Sequence, residues 1–288
     1  AVVMPGLIDC HTHAVFAGNR ADEFSKKQAG KSYLEILAEG GGILSTVRAT
    51  RKASRVELLQ NLLGHLKDFL KYWVTTVEVK SGYGLDLKNE LKILEVIGEA
   101  KKLQPVGLVA TFLGAHVVPP EFKGSSRKYL KFLMEEVLPK ASGKAEFVDI
   151  FCEKKAFSAR ESKKYLKFAK SLGFKLKMHA EQINRLGGYK VAMKLGAVSC
   201  DHCDKMTERD VRKMARSSVV AVLLPIVPWY LKEEFCADGR AMIDSGLALA
   251  VSTDFNPGTA PTKNIFLAMN LACLEMGLNF EEVLTAVT

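Results

Sequence analysis

Five of the six histidines in this sequence, His11, His13, His116, His179 and His202, sit at the end of a short apolar, β-branched run. Only His65 lies inside a segment of helical period. Asp254 follows another such run, within Ser252-Thr253-Asp254-Phe255-Asn256-Pro257-Gly258. His11 and His13 are two positions apart, so on an extended backbone both imidazoles project to one face. Two such rings, a third imidazole and the Asp254 carboxylate make a three-nitrogen, one-oxygen donor set. That set suits Zn²⁺ or another divalent first-row ion. A water in the remaining position would have its pKa lowered toward ~7, supplying hydroxide at neutral pH. Any one of these histidines reads as well as a packed core residue; their recurrence at equivalent places argues for a site. Glu181 stands two positions after His179 and is expected on the same face, as a proton carrier or as a partner that orients the imidazole.

The elements that must position these groups follow from the pattern. Runs at residues 3–9, 74–80, 107–113, 147–152, 174–179, 197–200, 219–224 and 247–252 read as strands. Amphipathic stretches at 56–72, 88–103, 127–138, 158–172, 188–195, 208–215, 241–245 and 263–276 read as helices. Strands apolar on both faces, alternating with helices, imply parallel βαβ units. Eight units imply an α/β fold of the closed (β/α)₈ TIM-barrel type, whose chemistry gathers at the C-terminal ends of the strands. A doubly wound open sheet is the alternative, and it would offer one crevice at a switch point. The first βα connection is the longest and contains Gly40-Gly41-Gly42, so it is expected to be an elaborated substrate loop. No repeat or linker breaks the chain, and residues 1–288 are expected to form one barrel domain.

Composition narrows the function classes. With 288 residues, 48% hydrophobic and 25% charged, the chain is globular rather than disordered or fibrous. The formal charge is +9, but the lysines are dispersed and aromatics make up 8%, which argues against a nucleic-acid surface. The longest apolar stretch, residues 219–231, is broken by Pro225 and Pro228 and falls short of the ~20 residues of a membrane span. The six cysteines are scattered, and the Cys200/Cys203 pair has no second pair to complete a zinc knuckle. Reduced thiols and a cytoplasmic location are expected. The expected partner is a small-molecule substrate, with no nucleic acid or membrane; the reading allows a homodimer. The chain opens without Met and ends in mid-pattern, so it reads as a fragment.

Several motifs add a family resemblance. Pro5-Gly6-Leu7-Ile8-Asp9-Cys10-His11-Thr12-His13 resembles the first-strand signature of the amidohydrolase superfamily. Phe16-Ala17-Gly18-Asn19-Arg20, Glu78 to Leu85, Phe112-Leu113-Gly114-Ala115-His116, His179-Ala180-Glu181-Gln182 and Thr253 to Thr259 are similar to the imidazolonepropionase family within it. The resemblance spans the chain. It implies one divalent or trivalent metal ion, zinc or iron first, bound by His11, His13, His179 and Asp254. It implies substrate contacts at Arg20, Tyr83, His116, Gln182, Asn256, Gly258 and Thr259. Side-chain chemistry gives three catalytic candidates: Asp254 to take the water's proton, His202 to steady the oxyanion or act as the base itself, and Glu181 to pass a proton to the leaving nitrogen. The implied reaction is hydrolysis of the cyclic amide of 4-imidazolone-5-propanoate to N-formimidoyl-L-glutamate, in histidine degradation. Members also carry a small β-sandwich domain, expected to be absent from this fragment. Two-metal members carry a bridging lysine at the end of strand four; here Lys154 comes late in a charged run and Lys80 is a lesser candidate, so a single metal is expected. The alternative is another amidohydrolase, a deaminase or cyclic amidase acting on a different heterocycle. It would share the metal shell, leaving Arg20, Tyr83 and the Asn256 segment to decide.

Overall fold

A computed structural model describes residues 3–31, 35, 39–234 and 236–288. Its strands are β1 (Leu7–Thr12), β2 (Val74–Lys80), β3 (Gly107–Ala115), β4 (Phe147–Cys152), β5 (Lys175–Leu176), β6 (His179–Ala180), β7 (Ser199–His202), β8 (Val220–Leu223) and β9 (Leu249–Val251). All paired neighbours run parallel, in the order β1-β2-β3-β4-β6-β7-β8-β9, with β5 also on β4. The ring closes beyond β9, where the His13 N–H donates to the Phe255 carbonyl at 2.8 Å and Thr12 bridges Phe255. This is the expected eight-stranded parallel barrel, nearly closed, with helices alternating along the chain.

β2 and β4 fall on their expected bounds, because their apolar runs end at charged or turn residues. β1 is displaced from residues 3–9 to Leu7–Thr12. Val3 and Met4 are exposed, while Asp9, His11 and Thr12 are buried, because each of these polar side chains finds a partner inside the barrel. The fifth barrel strand is split into β5 and β6. At the break, the Asp149 carboxylate takes the His179 backbone N–H at 3.1 Å, replacing a rung of the ladder.

Helix Arg55–Lys71 starts at Ser54, whose hydroxyl accepts the Glu57 N–H, and buries Leu58, Leu62, Leu66 and Phe69 on one stripe. Ala159–Ser171 starts with a Ser158/Glu161 capping box. The helix expected at 127–138 is instead Ser126–Phe132, a π turn over Leu133–Val137 and Leu138–Ala141. Pro139 has no N–H for the preceding turn, and the helix widens there. Ahead of helix Arg55–Lys71, the first connection holds helices Ala21–Gln28 and Ile43–Lys52 among the described residues. Among the described residues no helix is long and apolar enough to cross a membrane.

Candidate active site

The strand ends bring the histidines together. His11 lies in β1 and His13 directly after it; His179 opens β6, His202 closes β7, and Asp254 follows β9. Ring centroids are 4.4 Å apart for His11 and His179, 5.5 Å for His11 and His13, and 5.3 Å for His179 and His202. Donor atoms of His11, His13 and His179 lie within 4.8 Å of one another, and so do those of His11, His202 and Asp254. Asp254 Oδ1 stands 3.4 Å from His11 Nε2 and 3.3 Å from His13 Nε2. His11 Nε2, His179 Nε2 and Asp254 Oδ1 are buried with no hydrogen-bond partner among the described residues. Orphaned polar atoms are costly in an interior, and one cation between them would satisfy all three. The donor set therefore fits a divalent metal ion.

Electrostatics agree with that role. Burial pushes His202 down to about 4 and His116 down to about 3, the latter with help from the neighbouring His13. Burial also takes His179 well below its ordinary value. These shifts favour the neutral ring, the form that binds metal. At His11 burial and Lys80 lower the pKa, but the Asp201 and Asp254 carboxylates outweigh them and raise it. Burial raises Asp254, but His11 and His13 outweigh it and hold the group well below the usual carboxylate range.

Behind the imidazoles lies a buried ionic layer. His11 Nδ1 contacts Asp201 Oδ2 at 2.6 Å, and His179 Nδ1 contacts Asp149 Oδ2 at 2.8 Å. Lys80 Nζ touches Asp149 Oδ2 at 2.9 Å and Glu78 Oε1 at 2.8 Å, and lies 3.8 Å from Asp201 Oδ2. Lys177 Nζ lies 3.3 Å from Asp201 Oδ2 and donates to the Cys10 carbonyl at 3.2 Å. Burial alone would lower Lys80; Glu78, Asp149 and Asp201 outweigh it and keep the ammonium charged. The sequence reading missed Asp149, Asp201 and Lys177, and gave Lys80 a different role. The signal was present: single charged residues at inward positions of apolar strands. Lys154 is exposed, away from this layer.

A cavity of about 340 Å³ opens in front of the cluster, lined by His13, His179, His202 and Asp254 together with Arg20, Tyr83, His116, Gln182, Asn256, Gly258 and Thr259. Arg20 Nε donates to Glu23 Oε2 at 2.8 Å, and Glu23 Oε1 accepts the Gly42 N–H at 3.0 Å. A Cβ on Gly258 would sit 1.8 Å from Arg20 Nη1, so only glycine lets the guanidinium lie against this loop. His116 stacks on His13 at 5.1 Å, and its Nδ1–H donates to the Gly82 carbonyl at 3.1 Å, which leaves Nε2 as an acceptor. Gly82 has φ +111°, and its N–H is held by the buried Glu90 carboxylate.

Asn256 lines the cavity with its amide engaged inside the loop. It donates to the Asp254 carbonyl at 2.7 Å and accepts from the Gly258 and Thr259 N–H groups, both at 2.8 Å. Its geometry shapes the loop that carries Asp254 and Thr259. Glu181 does not share a face with His179 as the two-residue spacing led one to expect. Its φ of +57° turns it away, and its Oε1 faces the N-terminus of helix Gly188–Leu195, 3.4 Å from the Tyr189 N. Gln182, the next residue, reaches the cavity instead. Its loop is pinned by Glu153, which accepts the Ile183 and Asn184 N–H groups, both at 3.0 Å.

The chain matches no family model. It is 51% identical to the imidazolonepropionase of Bacillus cytotoxicus and 50% identical to that of Bacillus thuringiensis. Both alignments take in all of this chain and 68% of the relative. An adenosine deaminase from Xanthomonas campestris with bound zinc superposes with a TM-score of 0.65 at 14% identity, covering 99% of this chain and 65% of that one. An A. niger ochratoxinase superposes with a TM-score of 0.64 at 16% identity, covering 99% and 70%. At such identities the likeness is one of fold. The sequence relatives show that the chain belongs to the imidazolonepropionase family.

Proposed function

We propose that this barrel hydrolyses the ring amide of 4-imidazolone-5-propanoate, releasing N-formimidoyl-L-glutamate, with one zinc or iron ion held by His11, His13, His179 and Asp254. The observation that carries this reading is the sharing of one cavity by that donor set and by Arg20, whose outer guanidinium edge is free of Glu23. A planar two-nitrogen fork suits the carboxylate of a propionate chain. When bound, the metal would polarise the ring carbonyl and acidify a water.

The chain's own residues do the rest. Asp254 is an acceptor-only carboxylate at the centre, and it takes the proton of the attacking water. His202, buried and neutral, faces the same centre and steadies the negative charge that develops on the carbonyl oxygen. The C–N bond breaks, and the departing ring nitrogen receives the proton that Asp254 holds. Tyr83, His116 and Gln182 orient the ring, and Thr259, set by Asn256, completes the wall. Glu181 is left to its helix.

Incubating the full-length protein with 4-imidazolone-5-propanoate, and separately with purine-type rings and other cyclic amides, tests the reading when products are followed by mass spectrometry. Formimidoylglutamate is the expected product. Turnover of a purine-type ring with none of the imidazolone would move the assignment to the deaminase alternative. In the same assay Arg20→Met should lower kcat/KM about 10–150-fold with metal content intact, because a hydrogen bond to a charged group contributes ~1.5–3 kcal/mol. Gly258→Ala, which displaces the guanidinium without removing it, should lower kcat/KM by a smaller factor. Kinetics of Arg20→Met within twofold of wild type would rule out the clamp.

A further inference from the structure

We propose that Lys80 is a positioning residue for the metal site: one buried ammonium fixes the carboxylates that aim His11 and His179, and so holds the ligands in place before any metal binds. This rests on the metal reading above. β2 contributes no metal ligand, yet Lys80 at its end is fully buried beneath the ligand cluster. Its Nζ reaches three carboxylates on three strands, and each leads to a different part of the site. Asp149 on β4 receives Lys80 and contacts His179 Nδ1, while its other oxygen takes the His179 backbone N–H. Asp201 on β7 faces Lys80 and contacts His11 Nδ1, with its second oxygen held by Ser199 at 2.5 Å. Glu78 accepts the Thr12 N–H at 3.3 Å with Oε2, between His11 and His13, while Oε1 receives Lys80.

Stability alone does not account for this layer. Three buried carboxylates and two buried ammonium groups carry a heavy desolvation cost, and packed apolar residues in their place would often serve a barrel core as well or better. Orientation is what the arrangement supplies. An imidazole whose Nδ1 is held against a fixed carboxylate presents Nε2 as the lone-pair face. His11 Nδ1 hydrogen-bonds Asp201, His179 Nδ1 lies 2.8 Å from Asp149 Oδ2 as an ion-pair contact, and both rings leave Nε2 unpartnered toward the centre. Lys177 secures the Asp201 side alone, through Asp201 and the carbonyl that precedes His11.

The test measures metal binding in the full-length protein, with Zn²⁺ affinity read by chelator competition and site geometry read by the visible spectrum of bound Co²⁺. Lys80→Met keeps the length of the side chain and removes its charge. It should weaken Zn²⁺ binding about 10–100-fold, the range for losing a group that orients ligands, and should change the Co²⁺ spectrum. Lys177→Met should weaken binding less. If Lys80→Met does not fold, Lys80→Gln and Lys177→Met carry the same comparison. Zn²⁺ affinity within twofold of wild type and an unaltered Co²⁺ spectrum would overturn the proposal, and lowered thermal stability beside them would make Lys80 a folding residue only. A wild-type protein that binds neither ion would overturn the metal reading, and this proposal with it.

Discussion

Replacing His179 or His11 with alanine should remove bound metal and activity together. Each ring contributes a buried, unpartnered Nε2 to the centre. Without the ion, the attacking water reverts from a pKa near ~7 toward that of bulk water, so turnover should fall on the order of 10⁴-fold or more. Elemental analysis beside the activity assay decides the matter. Full metal occupancy in both variants would refute the assigned donor set. The barrel itself should persist, since its closure depends on Asp9, Ser252 and Thr253 rather than on these rings.

His202→Ala should behave differently. His202 lies within ligating distance of His11 and Asp254, but it is assigned to the reacting carbonyl rather than to the metal. The variant should keep most of its metal and lose about 10²–10⁴-fold in kcat, the range for removing an acid–base or oxyanion group. A His202→Ala protein that binds no metal makes His202 a ligand. One that keeps both metal and near-normal kcat makes it a bystander.

These assignments mark what the sequence could and could not tell. The barrel was legible because an apolar run buried on both faces, such as Val74–Lys80, leaves few alternatives to a parallel strand. The convergence of His11, His13, His179, His202 and Asp254 was legible because strand ends in a barrel share one rim. Glu181 was misplaced because the two-residue rule assumes that the extended backbone continues past His179, and a left-handed residue ends it. The ionic layer was hidden for another reason. Asp201 and His11 are 190 positions apart, and Lys80 and Asp149 are 69 apart. Nothing local distinguishes a lysine that will be surrounded by carboxylates from one that snorkels to solvent. Arg20 was legible as a residue, but its setting against Gly258 and Glu23 emerges only once the first and last connections meet.

The closure between β1 and β9 also governs the order in which this protein can become competent. Thr253 donates to Asp9 through its N–H at 3.2 Å and its hydroxyl at 2.6 Å, and Ser252 Oγ hydrogen-bonds the same carboxylate, across 244 and 243 positions of chain. During synthesis His11 and His13 emerge well ahead of Asp254, the carboxylate proposed to complete their donor set. Contacts of such long range are slow to form, and the strand that carries Asp254 must dock against the first strand to make them. A nascent chain that has reached β8 therefore offers the three proposed imidazole donors without their carboxylate, and on that reading full metal capture waits on the strand that carries Asp254.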